Sequence, residues 1–418
     1  MSERRVLDDA PWLGSGPAAR VLGLLNGNGE EARVVGGAVR NALLGIPIGE
    51  IDIATTAVPA EVIRRAKAAG IKSVPTGIEH GTVTLVVDGH PFEVTTLRED
   101  TETFGRKAKV AFGRDWGVDA QRRDFTINGM SIDAAGVVHD HVGGLEDIAA
   151  RRVRFIGDPD QRIAEDYLRI LRFFRIHAAF GTGPPDRPAY AACIRARAGM
   201  AKLSAERVRM EILKLMVADG AAGAITAMAD AGLLLPMFGG VAYLGPLVKM
   251  ISAERLLALK PDALRRLGAL AVAVTEDARR VATRLRLSNA EAKALDSMGH
   301  RWWRLDGMDE ATARRRLYRL GEDRYRDRLM MAWARSGDEP NSARWRELAT
   351  LPERWRVPEF PLKAADFMKR GIAEGPLLGR VLALAEDAWL AADFPIDASA
   401  IDAIADQTVS RFMRDQRS

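Results

Sequence analysis

The strand signal stops at Asp158-Pro159, and this limits the fold more than any other feature of the 418-residue chain. Upstream, from Arg33 to about Arg154, short Val/Ile/Thr runs recur at Val34-Val35, Ile51 to Ile53, Thr82 to Val87, Phe92 to Leu97 and Ser131-Ile132. Branched side chains of this kind suit a pleated, half-buried sheet. Helical spacing fills the gaps over residues 38–44, 60–69 and 119–127. Asp88-Gly89 reads as a hairpin turn between two of the runs. A helical lead-in over residues 18–25 ends at Asn26-Gly27-Asn28-Gly29. From Gln161 onward only helical periodicity remains, with Ser204 as an N-cap and Ser288-Asn289-Ala290-Glu291 as a capping box. The expected fold class is therefore α+β: a small mixed sheet with helices, followed by a long all-α region. Gly/Pro breaks near 181–185, 239–240 and 356–361 suggest sub-boundaries, with residues 181–188 the most linker-like.

A chain of this length is expected to form two to four domains. Its single cysteine, Cys193, excludes an internal disulfide framework and a multi-cysteine zinc site, and fits a reducing cytoplasm. No apolar run approaches membrane-spanning length. Met1 to Arg5, followed by Asp8 and Asp9, carries no apolar core of signal-peptide length. The net charge of +5 suggests a polyanionic partner such as nucleic acid. Since 61 basic residues face 56 acidic ones, scattered solvated charge accounts for it equally well.

Three acids on two β-runs carry the chemistry. In Glu50-Ile51-Asp52-Ile53 a strand would turn both acids to one face and both isoleucines to the other. Two adjacent carboxylates repel unless a cation lies between them. Hard divalent ions such as Mg²⁺ take oxygen ligands, usually one or two carboxylates plus substrate phosphates. Glu93 lies on the next strand but one; it would orient or deprotonate an attacking hydroxyl, or complete the metal shell. Upstream, Gly36-Gly37 ends a strand and opens a helix, where free N–H groups and the helix dipole favour phosphate. Arg40, one turn in, adds a charge-assisted contact to a triphosphate.

Two further segments are dense in polar groups. In Gln121 to Met130, Asp124 and Asn128 would share a helix face, and Arg122 or Arg123 with Asn128 suits a sugar hydroxyl and phosphate oxygens. In Glu165 to Arg175, Asp166 and Arg169 would share a helix face. A carboxylate accepting from an exocyclic amino group, beside a guanidinium, would take cytosine or adenine and refuse guanine or uracil. The same spacing also describes an ordinary ladder of surface ion pairs.

These segments, in this order, resemble the class II tRNA nucleotidyltransferases. That family comprises CCA-adding enzymes and bacterial poly(A) polymerases, within the polymerase-β-like nucleotidyltransferase superfamily. Gly36 to Arg40 with Glu50-x-Asp52 resembles the catalytic motif, and Arg122-Arg123-Asp124-Phe125 with Asn128 the ribose-selecting motif. Gly143-Gly144-Leu145-Glu146-Asp147 resembles the hinge between head and neck. Glu165-Asp166-x-x-Arg169-x-x-Arg172 resembles the amino-acid template for the incoming base, with Arg175 in support. Leu203-Ser204-x-Glu206-Arg207-x-x-x-Glu211 resembles the neck motif that follows. The match runs from about Val34 to Leu215.

The resemblance implies a nucleotidyltransferase head over residues 1–154, a helical neck over 155–220, an RNA-binding body over 221–350 and a tRNA-contacting tail over 351–418. It implies Mg²⁺ in a two-metal arrangement held by Glu50 and Asp52, with CTP and ATP as substrates. The tRNA acceptor arm is the partner; neither a membrane nor an obligate protein partner is implied, and the location is cytoplasmic. Two positions depart from the family pattern: Glu50 stands where Asp is usual, and Asn41 replaces the Asp after Arg40, losing a helix-side salt bridge. The region around Arg98-Glu99, Glu102, Arg106-Lys107-Ala108, Val110 and Phe112 resembles the flexible loop of the CCA-adding branch. Poly(A) polymerase, CC-only or A-only addition, and an inactive RNA-binding relative are the alternatives.

Overall fold

The computed structural model describes residue 7 and residues 10–104, 107–305 and 307–415. It divides into two compact units, Met1–Ala242 with Thr283–Arg286, and Tyr243–Ala282 with Leu287–Ser418. All described strands belong to the first unit.

Seven strands form one mixed sheet: β1 (Ala32–Val35), β2 (Asp52–Thr55), β3 (Lys72–Gly77), β4 (Thr82–Val87), β5 (His90–Thr96), β8 (Ser131–Ile132) and β9 (Val138–His139), in the order β3-β4-β5-β2-β1-β8-β9. Two more, β6 (Arg98–Phe104) and β7 (Lys107–Phe112), make a separate hairpin. This hairpin occupies the segment read as a flexible loop; Arg106 and the side chains of residues 99–110 lie outside what is described. Within the sheet only β2 and β5 run parallel.

Register explains which side chains meet. Ile132, Val34, Ile53, Val94 and Val83 are partners in successive strands, so they form one row on one face. Each is at most 1% exposed, which makes that face the core. The alternation then turns Asp52 and Glu93 to the opposite face. There Val35, Ala54 and Leu97 pack with Trp116 as an apolar floor. Asp88 and Gly89 both adopt positive φ, as the type I′ hairpin turn between β4 and β5 requires.

Two expectations fail locally. Glu50 is not on a strand, because β2 begins at Asp52. The helix expected over 119–127 is instead Trp116–Gln121 followed by a 3₁₀ turn, Thr126–Asn128. The Asp124 side chain accepts the Phe125 amide at 2.9 Å, and Phe125 is extended and bridges to Phe155. A short side chain competing for backbone amides ends the helix there. Phe125, Phe155 and Phe173 then pack in series, with centroids 4.9 and 5.7 Å apart, and carry the sheet side of the unit onto the helix Leu168–Phe180.

The Gly143–Asp147 segment is held tightly. Asp147, fully buried, accepts from Arg152 and Arg154 at 2.7 and 2.8 Å and from the Thr126 hydroxyl at 2.6 Å. Of the linker-like residues 181–188, only 181–186 join the helices Leu168–Phe180 and Arg187–Ala196 inside the first unit, tied by the Thr182 amide to the Arg151 carbonyl at 3.0 Å. The second unit is helical throughout, around Trp333 stacked on Trp345 and around Trp389 and Phe394. Ser288 and Glu291 form the expected capping box; Ser204 holds the N-cap position without a side-chain capping bond. No helix among the described residues is long and apolar enough to cross a membrane.

Candidate active site

An open cleft of about 620 Å³ in the first unit is lined by Gly36, Gly37, Arg40, Glu50 and Asp52 on the sheet side. Arg123, Asp124 and Asn128 line its centre; Asp166, Arg169, Arg172, Arg175 and Arg207 line the helical side. The sheet places the first group. Val35 pairs with Asp52, so the turn leaving β1 lies beside the first residue of β2. Gly36 has φ 71°, a left-handed conformation that glycine adopts without strain, and the helix Gly37–Leu44 follows directly. A Cβ on Gly36 would sit 3.5 Å from Arg123 Nη1, so this guanidinium lies over the turn.

Asp52 opens to the cleft and has no hydrogen-bond or ion-pair partner among the described residues. Desolvation by surrounding protein, then Glu93, then Glu50, raises its pKa, and Arg123 counters only in part. Glu93 reaches Asp52 through the β2–β5 pairing but does not line the cleft itself. Glu50 lines it from the segment before β2. Two oxygen donors in an uncompensated acidic field fit a hard divalent cation. Among the described residues no group of three or more His, Cys, Asp or Glu side chains is placed to hold a metal.

Arg40 is held rather than free. It is 8% exposed, stacks 3.7 Å from the Phe180 ring centroid, and donates to Asn128 Oδ1 at 2.6 Å. Its Nε and Nη2 donate to Asn41 Oδ1 at 3.2 and 2.9 Å, so Asn41 keeps the hydrogen bonds of an Asp without its charge. Burial, then the neighbouring Arg175, brings the Arg40 pKa down to about 10, with Asp124 acting the other way. An anion in the cleft would relieve this crowding of cations.

Asp124 accepts from Arg172 Nε at 2.8 Å, and Asn128 Nδ2 reaches Asp124 at 3.5 Å. The two meet across a turn and not along a helix. Arg123 pairs with Asp119 at 3.1 Å and still lines the cleft; Arg122 pairs with Asp119 at 2.6 Å and does not. Arg175 is anchored on the buried Glu211 at 2.5 Å.

The Asp166–Arg169 pair differs most from expectation. Asp166 is not on the helix with Arg169. It is extended, between the helices Pro159–Glu165 and Leu168–Phe180, and its Oδ1 accepts the Leu168 amide at 3.1 Å. The carboxylate that was to sit one turn from Arg169 instead holds the first amide of the helix that carries it. Its oxygens also take Arg207 Nη1 and Nη2 at 3.1 and 2.5 Å. Burial alone would raise the Asp166 pKa, but the Arg207 and Leu168 hydrogen bonds outweigh it and the pKa falls. Arg169 bonds Glu165 and donates to the Arg162 carbonyl at 2.6 Å. Glu165 lies outside the cleft lining, in support.

Two residues of this network were not singled out from the sequence. Arg207 appeared only within the neck motif, three residues after the Ser204 cap. Arg162 donates to Glu165 at 2.6 Å and to the Arg123 carbonyl at 2.7 Å, and so ties the Arg122–Arg123 turn to the base of the neck. Only its i,i+3 spacing from Glu165 hinted at it.

Residues 32–154 match the family model described as "Poly A polymerase head domain", and residues 187–244 match "Probable RNA and SrmB- binding site of polymerase A". The chain is 33% identical over 368 residues to the zebrafish Danio rerio protein "CCA tRNA nucleotidyltransferase 1, mitochondrial", covering 86% of this chain and 83% of that protein. It is 32% identical to the "CCA-adding enzyme" of Limosilactobacillus fermentum over 88% of this chain and 90% of the relative. The crystal structure of the Bacillus stearothermophilus CCA-adding enzyme in complex with CTP superposes with a TM-score of 0.71 at 27% identity, covering 95% of this chain and 98% of that one. The Thermotoga maritima CCA-adding enzyme complexed with tRNA shares the fold, with a TM-score of 0.73 at 20% identity over 98% and 100% of the two chains.

Proposed function

This chain belongs to the family of CCA-adding tRNA nucleotidyltransferases, and we propose that it adds C, C and A in turn to the 3′ end of tRNA, using CTP and ATP and releasing pyrophosphate. The observation that carries the reading is one cleft in which the uncompensated acids Asp52 and Glu50 face a bank of arginines and the Asp166–Arg169 segment. Acids alone mark a cation site. Acids opposite cations mark a cation bound together with a polyanion.

Glu50 and Asp52 would hold Mg²⁺, which when bound supplies Lewis-acid polarisation of the α-phosphate and of the primer 3′-hydroxyl. Amides at the start of the helix Gly37–Leu44, with Arg40 behind them, would bind phosphate oxygens. Arg123, lying over the Gly36 turn, and Asn128, held by Arg40, would orient the ribose. Arg172 and Arg175 would complete the cationic wall. Glu93, beside Asp52 across the sheet, would receive the proton of the attacking hydroxyl or help orient it. Asp166 would accept from the exocyclic amine of C or A, and Arg169 would donate to the ring nitrogen. The head, neck, body and tail boundaries given above remain part of this proposal, as does a cytoplasmic location. The zebrafish and mouse relatives are described as mitochondrial.

The head match carries a poly(A) polymerase description, which keeps that rival in view. Incubation of the full chain with Mg²⁺, CTP alone and a tRNA ending at its discriminator base separates the two. We expect addition of C residues; absence of any C incorporation would sink the CCA reading.

A further inference from the structure

We infer that Gly199 is a specificity-determining position: with Lys202 it clamps the Tyr167 ring, and through that ring it sets the direction of Asp166. Asp166 and Arg169 have here the base-reading roles proposed above, on which the function of the clamp rests. Asp166 and Tyr167 are the two residues between the helices Pro159–Glu165 and Leu168–Phe180. Asp166 is extended, with φ −154° and ψ 108°, and Tyr167 turns back to helical angles, with φ −60° and ψ −16°. How this short joint faces the cleft depends on what its two side chains touch.

One stretch of chain takes both side chains. Arg207 grips the Asp166 carboxylate from the helix Ala205–Met216. The 3₁₀ turn Arg197–Lys202, just before that helix, takes Tyr167. Gly199 is buried against the ring: a Cβ built on it would lie 2.0 Å from Tyr167 Cδ1 and Cε1 and 2.5 Å from Cγ. Lys202 Nζ lies over the same ring, 5.2 Å from its centroid, within reach of a cation–π contact. The turn is itself anchored, because Met200 is buried and its carbonyl accepts the Leu203 amide at 3.1 Å.

Gly199 lies outside the left-handed region, so the backbone there would accept alanine without strain. What excludes alanine is the ring. Carbon atoms in contact stand about 3.5–4.0 Å apart, so a methyl group at position 199 must displace the ring by roughly 1.5 Å. The atoms it meets include the root of the ring, Cγ, and not the free end of a flexible chain. Consecutive Cα atoms are held about 3.8 Å apart, so a displaced Tyr167 carries Asp166 and the start of the Arg169 helix with it. Neither Tyr167 nor Gly199 lines the cleft, which makes both positioning residues.

The test measures kcat/KM for CTP, UTP and dCTP with the full chain and a tRNA ending at its discriminator base. The variants are Gly199→Ala, Tyr167→Ala, Tyr167→Phe, and Gly199→Ala combined with Tyr167→Ala. Gly199→Ala and Tyr167→Ala should each lower the preference for CTP over UTP roughly tenfold, chiefly through a higher KM for CTP, as a reading group displaced by about 1 Å would. The preference for CTP over dCTP, which rests on Arg123 and Asn128, should move by less than about twofold. A fall in both preferences alike would reduce Gly199 to a structural role and overturn the clamp. Tyr167→Phe should keep the base preference, because the clamp uses the ring and not the hydroxyl. In the Tyr167→Ala background Gly199→Ala should change nothing further, since the ring it would meet is gone. An unchanged preference for CTP over UTP in either single alanine variant would overturn the clamp. If Gly199→Ala does not fold, Tyr167→Ala decides, since it adds no atom. If the wild-type chain adds no C, the function proposed above falls, and CTP and UTP affinities measured without tRNA read the clamp in the same variants.

Discussion

Asp52 carries the account at the scale of single residues. Desolvation by the surrounding protein, then Glu93 and Glu50, raises its pKa in the folded state above the unfolded value. Its ionised form therefore disfavours the fold at neutral pH, and the penalty disappears as pH falls below the unfolded pKa. Asp52→Asn should raise Tm in divalent-free buffer near neutral pH and leave it unchanged near pH 3, where Asp52 is protonated in both states. Calorimetry at both pH values checks the sign. Asp52→Ala should lower nucleotide transfer by about a thousandfold, the scale of losing an electrostatic centre of the transition state, with tRNA affinity nearly intact. Transfer at the wild-type rate would refute the metal-site assignment. Glu50 lies just before β2, at the position where the family pattern usually carries Asp, so Glu50→Asp should keep most activity. Full activity in Glu50→Ala would remove it from the ligand set.

At the scale of elements, the break between the helices Pro159–Glu165 and Leu168–Phe180 matters most. Asp166 serves twice there, as an acceptor for the Leu168 amide at the start of the second helix and as a carboxylate facing the cleft, and Arg207 fixes its direction from the helix Ala205–Met216. Arg207→Met should therefore raise KM for CTP and ATP about tenfold and weaken the rejection of GTP and UTP, with a smaller change in kcat. Steady-state kinetics with the four nucleotides measures this. An unchanged preference would show that Arg207 does not orient the base-reading group. The buried Asp147 anchors Arg152, Arg154 and Thr126 at once. Asp147→Ala should cost about 3 kcal/mol in urea unfolding. A loss below about 0.5 kcal/mol, the size of an ordinary surface change, would contradict its structural role.

Across the whole molecule, legibility followed the range of the interactions. The sheet face bearing Asp52 and Glu93, the Asp88-Gly89 turn and the Ser288 capping box each follow from periodicity or from contacts a few residues apart, and all were readable. The position of Glu50 was not, because nothing in Ile48 to Ile53 marks where pairing begins. Asp124 and Asp166 were assigned to helix interiors because their neighbours have helical spacing. The structure uses both to bond nearby backbone amides and break the helix, a competition that spacing does not reveal. Arg162 and Arg207 were invisible as site residues because their partners lie about 40 positions away. The second unit carried no motif that the sequence could be read from.

The central claim is that one cleft adds a defined CCA end. The most direct measurement supplies all four nucleoside triphosphates with Mg²⁺ to a tRNA ending at its discriminator base and sequences the 3′ ends produced. The account predicts ends that read CCA and stop there, and none from Asp52→Ala. Ends that run on as A residues, or that carry no C, would contradict it.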